Sequence, residues 1–376
     1  MKAVAGDTHD VVIAGGGVAG ATMGRLLAGW GFDVLIVNAR APEKAGEVLG
    51  PEALGVCNVL DLTHRFASDR RLACVNQGVV TRWSSGALEL LDYSLRGTHG
   101  WTIDRPALNA MLAGLAIEKG CQWVKDASAV DALKVADGYE VHVSGARGSR
   151  VLRSKVVVDA TGRPARIARR LGAARIVDDK LVAASLTLRC GAAPFDPNLH
   201  VTILSNGWWY RSDGPNGDTR IAVVSEVNPP TVKRQFLHDV MKHVLRSLHV
   251  TEDLDQVLDR LVFLDASSAR LDRCAGPGWL AIGDAATAFD PWSGQGLSHA
   301  FGTALAAAHA LREQTAGNRE AFGAYDAAVH MTNRRSRAEL ALRHAFIASR
   351  EPAPFWISRR APCSARTTEP RATTAS

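Results

Sequence analysis

The chain has 376 residues, of which 47% are apolar and 22% charged, as in a globular protein with one large domain or two interwoven ones. The net charge of +6 arises in residues 333–376, which hold nine arginines and three glutamates, so residues 1–332 are balanced and nucleic-acid binding is not indicated. No apolar run approaches the ~18 residues of a membrane span, and the N-terminus lacks a signal-peptide pattern, so we expect a cytoplasmic protein.

The first hundred residues predict one βαβ unit followed by irregular chain. A strand over 10–15, a glycine-rich turn, a helix to Gly29 and a strand over 33–38 have the length of such a unit. Residues 41–100 read as irregular and partly β. Asp104 is then a plausible N-cap for a helix that ends near Lys119, with Pro106 in its first turn.

The middle of the chain predicts mostly strands, and its end predicts helices. Alternating apolar segments lie at 130–135, 138–144, 151–158, 182–190, 200–205, 219–226 and 260–266, with one helix near 231–247. A buried strand over 279–282 precedes helical sequence over 297–349, and the last ~15 residues have a composition typical of disorder. We interpret the Arg-rich end as a solvated helix face and tail; the alternative is a docking site for an acidic partner.

The first glycine turn has the spacing of a nucleotide-binding loop. Gly15, Gly17 and Gly20 suit a tight turn, close approach of backbone to a pyrophosphate, and close packing of helix on strand. Val18 and Ala19 begin the helix, whose free N–H groups and dipole favour an anion.

The second strand of the unit ends in Asn38, where an acid would ordinarily accept from ribose hydroxyls. Asparagine still accepts through its carbonyl oxygen but carries no charge, so a 2′-phosphate is not rejected here and NADP stays open. Arg40 lies two residues further along and is a further candidate for cofactor binding.

A second glycine turn follows the strand over 279–282 and leads into an Ala-rich helix. It contains Gly283, Asp284, Asp290, Pro291 and the segment Gly294-Gln295-Gly296. Two such turns so far apart suggest one large cofactor held from both ends of the chain.

These segments resemble an FAD-binding family that has the p-hydroxybenzoate hydroxylase fold. The family includes class A flavoprotein monooxygenases, flavin-dependent halogenases and geranylgeranyl reductases. The matching pieces are Gly15–Gly20, Asp159-Ala160-Thr161-Gly162, Gly283–Gly296 and the helix start at Arg105. The resemblance covers roughly residues 8–350 and implies an α/β fold: a Rossmann-like FAD-binding domain with an inserted, mostly β substrate domain and C-terminal helices.

The resemblance also implies roles for individual residues. Asp284 would hydrogen-bond the ribityl chain, and Arg105 would lie near the flavin and the pyrophosphate. Pro291 and the Gly294–Gly296 backbone would line the isoalloxazine ring. The alternatives are a helix cap for Asp284 and a salt bridge for Arg105. Electrons would come from NAD(P)H or from a separate flavin reductase, since no second Gly-x-Gly-x-x-Gly appears.

Two features argue against halogenation. No lysine lies between Lys44 and Lys119, and the Trp-x-Trp-x-Ile-Pro signature of halogenases is incomplete at Trp208-Trp209. A closer resemblance is to halogenase-like flavoproteins that lack these features, some of which hydroxylate a tryptophan in a partner polypeptide. The matching segments are 46–51, 100–105, 207–210 and 354–356.

We therefore expect an FAD-dependent monooxygenase that hydroxylates an aromatic substrate, such as an indole or a tryptophan, free or peptide-borne, with molecular oxygen through a flavin C4a-hydroperoxide. The aromatic residues expected near the substrate are Trp83, Trp101, Trp208, Trp209, Tyr210 and Trp292. Trp292, His99 and Glu47 are the catalytic candidates, although each also fits a packing or loop role. The alternatives are a halogenase, a geranylgeranyl-reductase-like enzyme, and a non-catalytic FAD-binding scaffold.

The cysteines and the motif order complete the expectations. The six cysteines form no Cys-x-x-Cys pair and no Cys/His cluster, so we expect neither a disulfide framework nor a metal site. We expect the FAD-binding domain over 1–75, 100–178 and 265–320, and the substrate domain over 76–99 and 179–264. A helical region over 321–358 and a disordered tail over 359–376 would follow.

Overall fold

The computed structural model describes residues 8–39, 47–146, 148–189, 195–226, 230–248, 250, 252–360 and 367–368. Among these residues the α-helices are α1 (Val18–Gly29), α2 (Leu54–Val59), α3 (Thr63–Ser68), α4 (Arg105–Glu118), α5 (Arg166–Arg170), α6 (Pro230–Ser247), α7 (Leu254–Leu258), α8 (Gly296–Thr315), α9 (Ala321–Arg350) and α10 (Pro354–Ile357). No helix of this part of the chain is long and apolar enough to cross a membrane.

The strands of the described residues alternate with these helices in the first half and then dominate the middle. They are β1 (Thr8–Ala14), β2 (Val34–Asn38), β3 (Glu47–Leu49), β4 (Ala73–Asn76), β5 (Gly78–Arg82), β6 (Leu88–Asp92), β7 (Gly100–Ile103), β8 (Gln122–Lys125), β9 (Ala127–Val135), β10 (Gly138–Gly145), β11 (Gly148–Asp159), β12 (Arg175–Val177), β13 (Leu181–Arg189), β14 (Asn198–Leu204), β15 (Gly207–Asp213), β16 (Asp218–Glu226), β17 (Val262–Asp265), β18 (Ala269–Leu271), β19 (Ala275–Gly276), β20 (Trp279–Ala281), β21 (Thr287–Ala288) and β22 (Thr367–Thr368).

The sheet that carries the glycine turns is built around β1. Its order is β19-β20-β11-β1-β2-β8, with β10 and β9 added beyond β11. The strands β20, β11, β1, β2 and β8 are parallel, and Ala14 is in register with both Val37 and Asp159, which in turn pairs with Ala281. These carboxyl ends therefore meet at one edge, which is where ligands bind in open parallel sheets.

A second sheet has the order β17-β13-β16-β15-β14-β5-β6 within the described residues. Successive side chains of a strand point to opposite faces of the sheet. In this sheet both faces carry apolar residues that pack against other elements. One face packs Ile221 and Val223 against Leu237 and Met241 of α6. The opposite face, which includes Trp208, packs against the C-terminal helices and against Trp292.

The structure confirms the predicted mixed α/β class and most of the predicted elements. Asp104 caps α4 by accepting from the backbone nitrogen of Ala107 at 2.8 Å, as its sequence context predicts. Residues 47–100 hold more regular structure than expected, because the short helices α2 and α3 bury Cys57 and Phe66 against a small sheet of order β3-β7-β4. A four-stranded sheet of the described residues has the order β21-β18-β12-β22.

Candidate functional site

The first glycine turn connects β1 to α1, and its glycines are required by close contacts. Gly15 has φ of +112°, and a Cβ there would lie 2.1 Å from the carbonyl oxygen of Ala160. A Cβ on Gly20 would lie 1.9 Å from the carbonyl oxygen of Gly15. A Cβ on Gly17 would meet nothing within 4 Å. Gly15 and Gly20 thus allow the turn to pack, whereas Gly17 borders open space.

The start of α1 can receive an anion in that space. Gly17 occupies the N-cap position and supplies no side chain to satisfy the first N–H groups, which include those of Val18 and Ala19. Asn38 fixes the turn from the neighbouring strand, because its Oδ1 accepts from the backbone nitrogen of Gly16 at 3.0 Å. Arg40 lies outside the described residues.

The middle motif begins with a carboxylate that is fully occupied by its own loop. Asp159 is completely buried and accepts from the backbone nitrogen and hydroxyl of Thr161, at 2.9 and 2.7 Å, and from the backbone nitrogen of Ala168 at 2.7 Å. Burial raises the pKa of this carboxyl and the hydrogen bonds oppose the rise. Asp159 therefore shapes the loop in which Ala160 contacts the first glycine turn and Gly162 adopts φ of +75°.

The second glycine turn begins beside the first. Gly283 has φ of +58°, and a Cβ there would lie 3.0 Å from the Cβ of Ala19 in α1. The following Asp284 is partly exposed, with its Oδ2 atom 3.8 Å from Nε of Arg163. The fold thus brings the two ends of the cofactor motif together, as the sequence pattern predicts, and leaves the Asp284 carboxylate accessible to a ligand.

The rest of this turn, Asp290–Gly296, leads into α8. The Oδ1 atom of Asp290 accepts from the backbone nitrogen of Trp292 at 2.8 Å, and Gly294 adopts φ of +67°. The Oε1 atom of Gln295 accepts from the hydroxyl of Ser336 at 2.6 Å, which ties the turn to α9. Gln295 is the N-cap of α8 but caps no N–H with its side chain, and a Cβ on Gly296 would meet nothing within 4 Å.

Arg105 lies at the first position of α4 and is almost buried. Its Nη1 atom donates to Oε2 of Glu47 at 2.7 Å, and its buried Nε has no hydrogen-bond partner among the described residues. An unsatisfied buried donor of a guanidinium is costly. Because it is cationic and planar, this group suits an anionic or carbonyl oxygen of a bound ligand.

Aromatic side chains cover the sheet face next to the second turn. The ring of Trp292 lies 5.3 Å from that of Trp208 on β15 and 5.7 Å from that of Trp356 on α10. Tyr210 is on the same face, two residues along β15, and burial raises the pKa of its hydroxyl. Trp209 packs on the α6 side instead, so the expectation that it lines the pocket is wrong: strand alternation separates it from its neighbours.

His99 and Trp101 lie in other surroundings, whereas Trp83 belongs to the same apolar cluster as Trp208 and Trp356. His99 borders a cavity of about 360 Å³ that is also lined by Val75, Gln77, Leu90, Asp92, Ser94, Thr98 and Asn198, and Trp292 is not part of that lining. The ring of His99 lies 5.0 Å from that of Trp101, which is buried in β7. Trp83 is buried under Arg350, whose guanidinium lies 4.8 Å from the ring centre.

Sequence reasoning missed two arginines that surround the second turn. Arg163 donates to the carbonyl oxygens of Ser267 and Phe289, and Arg359 donates to Oδ2 of Asp290 at 3.1 Å. Arg163 directly follows the middle motif, and this position could have drawn attention to it. Arg359 belongs to the Arg-rich end, and the interpretation of that end as solvent-facing does not hold for this residue.

One group of potential metal ligands comes together only in the fold. A sulfur, a carboxylate oxygen and a ring nitrogen of Cys274, Asp326 and His330 lie within 4.8 Å of one another. Asp326 already accepts from the backbone nitrogen of Cys274 at 2.6 Å, and burial raises the pKa of this thiol. The hydrogen bond from Cys274 to Asp326 links the start of β19 to α9.

These residues fit FAD. The starts of α1 and α8 have no side-chain cap, so their free backbone N–H groups could receive the phosphate and the carbonyl edge of the flavin. Arg105 offers an unsatisfied buried donor. The residues that would hold FAD come from distant parts of the chain, and the edge of the parallel sheet brings them together.

Comparison with known proteins agrees with this geometry. A family model described as FAD binding domain matches residues 8–341. LodB of Marinomonas mediterranea, assigned by name as an FAD-dependent oxidoreductase, is 24% identical over 81% of this chain and 85% of its own length.

Solved structures share the fold. QhpG, described as a peptidyl tryptophan dihydroxylase essential for tryptophylquinone cofactor biogenesis, superposes with a TM-score of 0.77 at 20% identity, over 94% of this chain and 79% of its own. The flavin-dependent brominase Bmp2 superposes with a TM-score of 0.74 at 21% identity, over 94% of this chain and 90% of its own.

Proposed function

Because this chain belongs to the FAD binding domain family, it is an FAD-dependent oxidoreductase, and we propose that it is a monooxygenase that hydroxylates an aromatic ring. The observation that carries the proposal is the aromatic face of the second sheet, which packs directly onto the second glycine turn through Trp208 and Trp292. A substrate bound beside Trp292, the half-buried member of this pair, would have its ring held against the cofactor.

The two glycine turns would hold the cofactor. The N–H groups at the start of α1 and the space beside Gly17 would receive the pyrophosphate. Asp284 would accept from the ribityl hydroxyls, and the backbone of Gly294–Gly296 at the start of α8 would face the flavin carbonyl edge. Arg105 would donate its free Nε–H to the cofactor while Glu47 holds the guanidinium in place.

When bound and reduced by its electron donor, FAD would supply the electrons and the activation of oxygen. The chain contributes an apolar surface that excludes water and a fixed orientation for the ring to be hydroxylated. Trp292 and Tyr210 would form this surface and the buried Trp208 would support it, since all three lie on the same side of the second sheet. Proton transfer is proposed for His99 only if the substrate extends to its cavity, because no described contact joins His99 to the second turn.

A tryptophan side chain, free or within a peptide, is the substrate class that we propose first. Flat aromatic rings pack edge to face with tryptophans at distances such as the 5.3 Å between Trp208 and Trp292. The peptidyl tryptophan dihydroxylase QhpG has the same fold, which supports a peptide substrate without establishing it. The electron donor would be NAD(P)H or a separate flavin reductase.

The test begins with purified protein titrated with FAD, reduced anaerobically with dithionite, and mixed with oxygen-18 gas and tryptophan-containing peptides or indoles. Mass spectrometry of the products should show one oxygen-18 atom for each new hydroxyl group. Samples with added chloride or bromide and samples without oxygen serve as controls.

Each alternative predicts a different product. Halogenated product in the halide samples would indicate a halogenase, which the absence of lysine between Lys44 and Lys119 disfavours. Product formed without oxygen would indicate a reductase and contradict hydroxylation. Retention of FAD with no product in any sample would favour a non-catalytic FAD-binding scaffold, and failure to retain FAD would contradict the proposed function.

A further inference from the structure

The carboxylate of Asp290 forms the base of the second glycine turn and is completely buried. One oxygen, Oδ1, accepts from the backbone nitrogen of Trp292 at 2.8 Å and so fixes the start of the turn. The other, Oδ2, accepts from Nη1 of Arg359 at 3.1 Å. A single side chain thereby links the C-terminal segment to the backbone that leads to Gly294 and Gly296.

The C-terminal segment that carries Arg359 is itself well anchored. Trp356 is completely buried, donates from Nε1 to the carbonyl oxygen of Leu204 at 2.8 Å, and has its ring 5.9 Å from that of Trp208. The guanidinium of Arg359 lies 4.7 Å from the ring centre of Phe355. Arg359 is therefore held at a fixed position relative to the aromatic face.

Four charged or titratable side chains surround Asp290. Arg359 is hydrogen-bonded to Asp290, and the positive charge of Arg163, which donates to the carbonyl oxygen of Phe289, also lowers the pKa of Asp290. Asp179 carries the same negative charge as Asp290 and raises this pKa; its Oδ2 lies 3.6 Å from Nη1 of Arg359. The Nε2 atom of His344 lies 3.9 Å away, but burial and the nearby Arg359 lower the pKa of this histidine to about 3. His344 is thus neutral and adds no positive charge.

Burial raises the pKa of Asp290 and Arg359 is the largest influence that lowers it. Removal of one partner from a buried ion pair leaves an uncompensated charge, which is far costlier than loss of the pair itself. A neutral Asp290 would be a weaker acceptor for the N–H of Trp292. The charge of Arg359 is therefore connected, through one carboxylate, to the backbone of the turn.

We propose that Arg359 is a positioning residue that acts through Asp290 to hold the second glycine turn in the conformation that receives FAD. The inference rests on the proposed placement of the flavin at that turn. Arg359 contacts the second turn through the Asp290 carboxylate, so its effect on the turn passes through Asp290 to the backbone of Trp292.

The experiment compares Arg359→Met, Arg359→Lys, the double variant Arg359→Met/Asp290→Asn, and Arg360→Met as a control. Arg360 is the adjacent, exposed arginine. Asparagine keeps an oxygen for the Trp292 N–H but needs no counter-charge. The readouts are the FAD dissociation constant, the tryptophan fluorescence of the FAD-free protein, and its thermal unfolding at about pH 5 and about pH 8.

Arg359→Met should weaken FAD binding about tenfold, shift the tryptophan emission, and lower the unfolding temperature more at the higher pH. The pKa of Asp290 is raised above its ordinary value, so its ionisation costs stability as pH rises, and this cost grows without Arg359. The double variant should regain most of the FAD affinity and lose the pH dependence. Arg359→Lys should fall between, and Arg360→Met should match the parent protein.

An equal loss of affinity in the single and double variants would overturn the proposal, because Arg359 would then not act through Asp290. A change in stability with no change in FAD affinity or tryptophan emission would overturn it as well, leaving a purely structural ion pair. If the parent protein fails to bind FAD, the proposed function fails, whereas the coupling of Arg359 to Asp290 is still decided by unfolding of the FAD-free variants.

Discussion

The Oδ1 atom of Asn38 lies 3.0 Å from the backbone nitrogen of Gly16 and accepts its hydrogen bond. The contact joins the end of β2 to the first glycine turn. The position at which an acid would ordinarily contact ribose thus also supports the turn, and a neutral amide is sufficient for that task.

Asn38→Ala should weaken FAD binding about tenfold, because the Gly16 N–H loses its acceptor and an unsatisfied donor costs ~1–3 kcal/mol. Asn38→Asp keeps an acceptor at the same place and should bind FAD within about threefold of the parent protein. Titration of FAD with fluorescence detection measures both. Similar losses in the two variants would show that the Gly16 contact is unimportant.

The glycines of the first turn should separate into two kinds. Gly17→Ala introduces a Cβ with no protein atom within 4 Å, so the FAD-free protein should unfold at an unchanged or slightly higher temperature. If the pyrophosphate approaches this backbone, the same change should weaken FAD binding at least about tenfold. Gly20→Ala places a Cβ 1.9 Å from the Gly15 carbonyl oxygen and should destabilise the FAD-free protein itself. Normal FAD binding by Gly17→Ala would place the pyrophosphate elsewhere.

Much of the fold could be predicted from sequence because its signals are local. The strand, glycine turn and helix of the first βαβ unit, and the cap at Asp104, depend on neighbouring residues. Contacts between distant segments left no such signal. The pair of Arg359 with Asp290 joins residues far apart, and the composition of the Arg-rich end favoured a solvated face.

Asp159 shows how a motif can be found correctly while the contacts of its residues stay hidden. The sequence places it in the cofactor motif, and the structure shows its oxygens occupied by Thr161 and Ala168. Its role depends on where the loop folds back, which sequence alone does not reveal.

Asp159→Asn should therefore lower the unfolding temperature of the FAD-free protein. Its Nδ2 would replace an oxygen that accepts from a backbone N–H, which leaves that buried donor unsatisfied at ~1–3 kcal/mol. The FAD affinity of the folded fraction should change less than about threefold. Thermal unfolding and FAD titration of the same sample separate these effects. A large loss of affinity with unchanged stability would indicate direct contact with the cofactor.

Trp208 and Trp209 are adjacent in β15 yet lie on opposite faces of the second sheet, which gives a matched pair of substitutions. Trp208→Leu removes the ring that packs 5.3 Å from Trp292 and should lower kcat/KM for the aromatic substrate about tenfold, since an aromatic pair contributes ~0.5–1.5 kcal/mol beyond area burial. Trp209→Leu should reduce stability through its contacts on the α6 side while leaving kcat/KM within about twofold. Steady-state kinetics at a temperature well below both unfolding transitions compares them. Equal kinetic losses in the two variants would contradict a substrate site on the Trp208 face, because only Trp208 packs against Trp292.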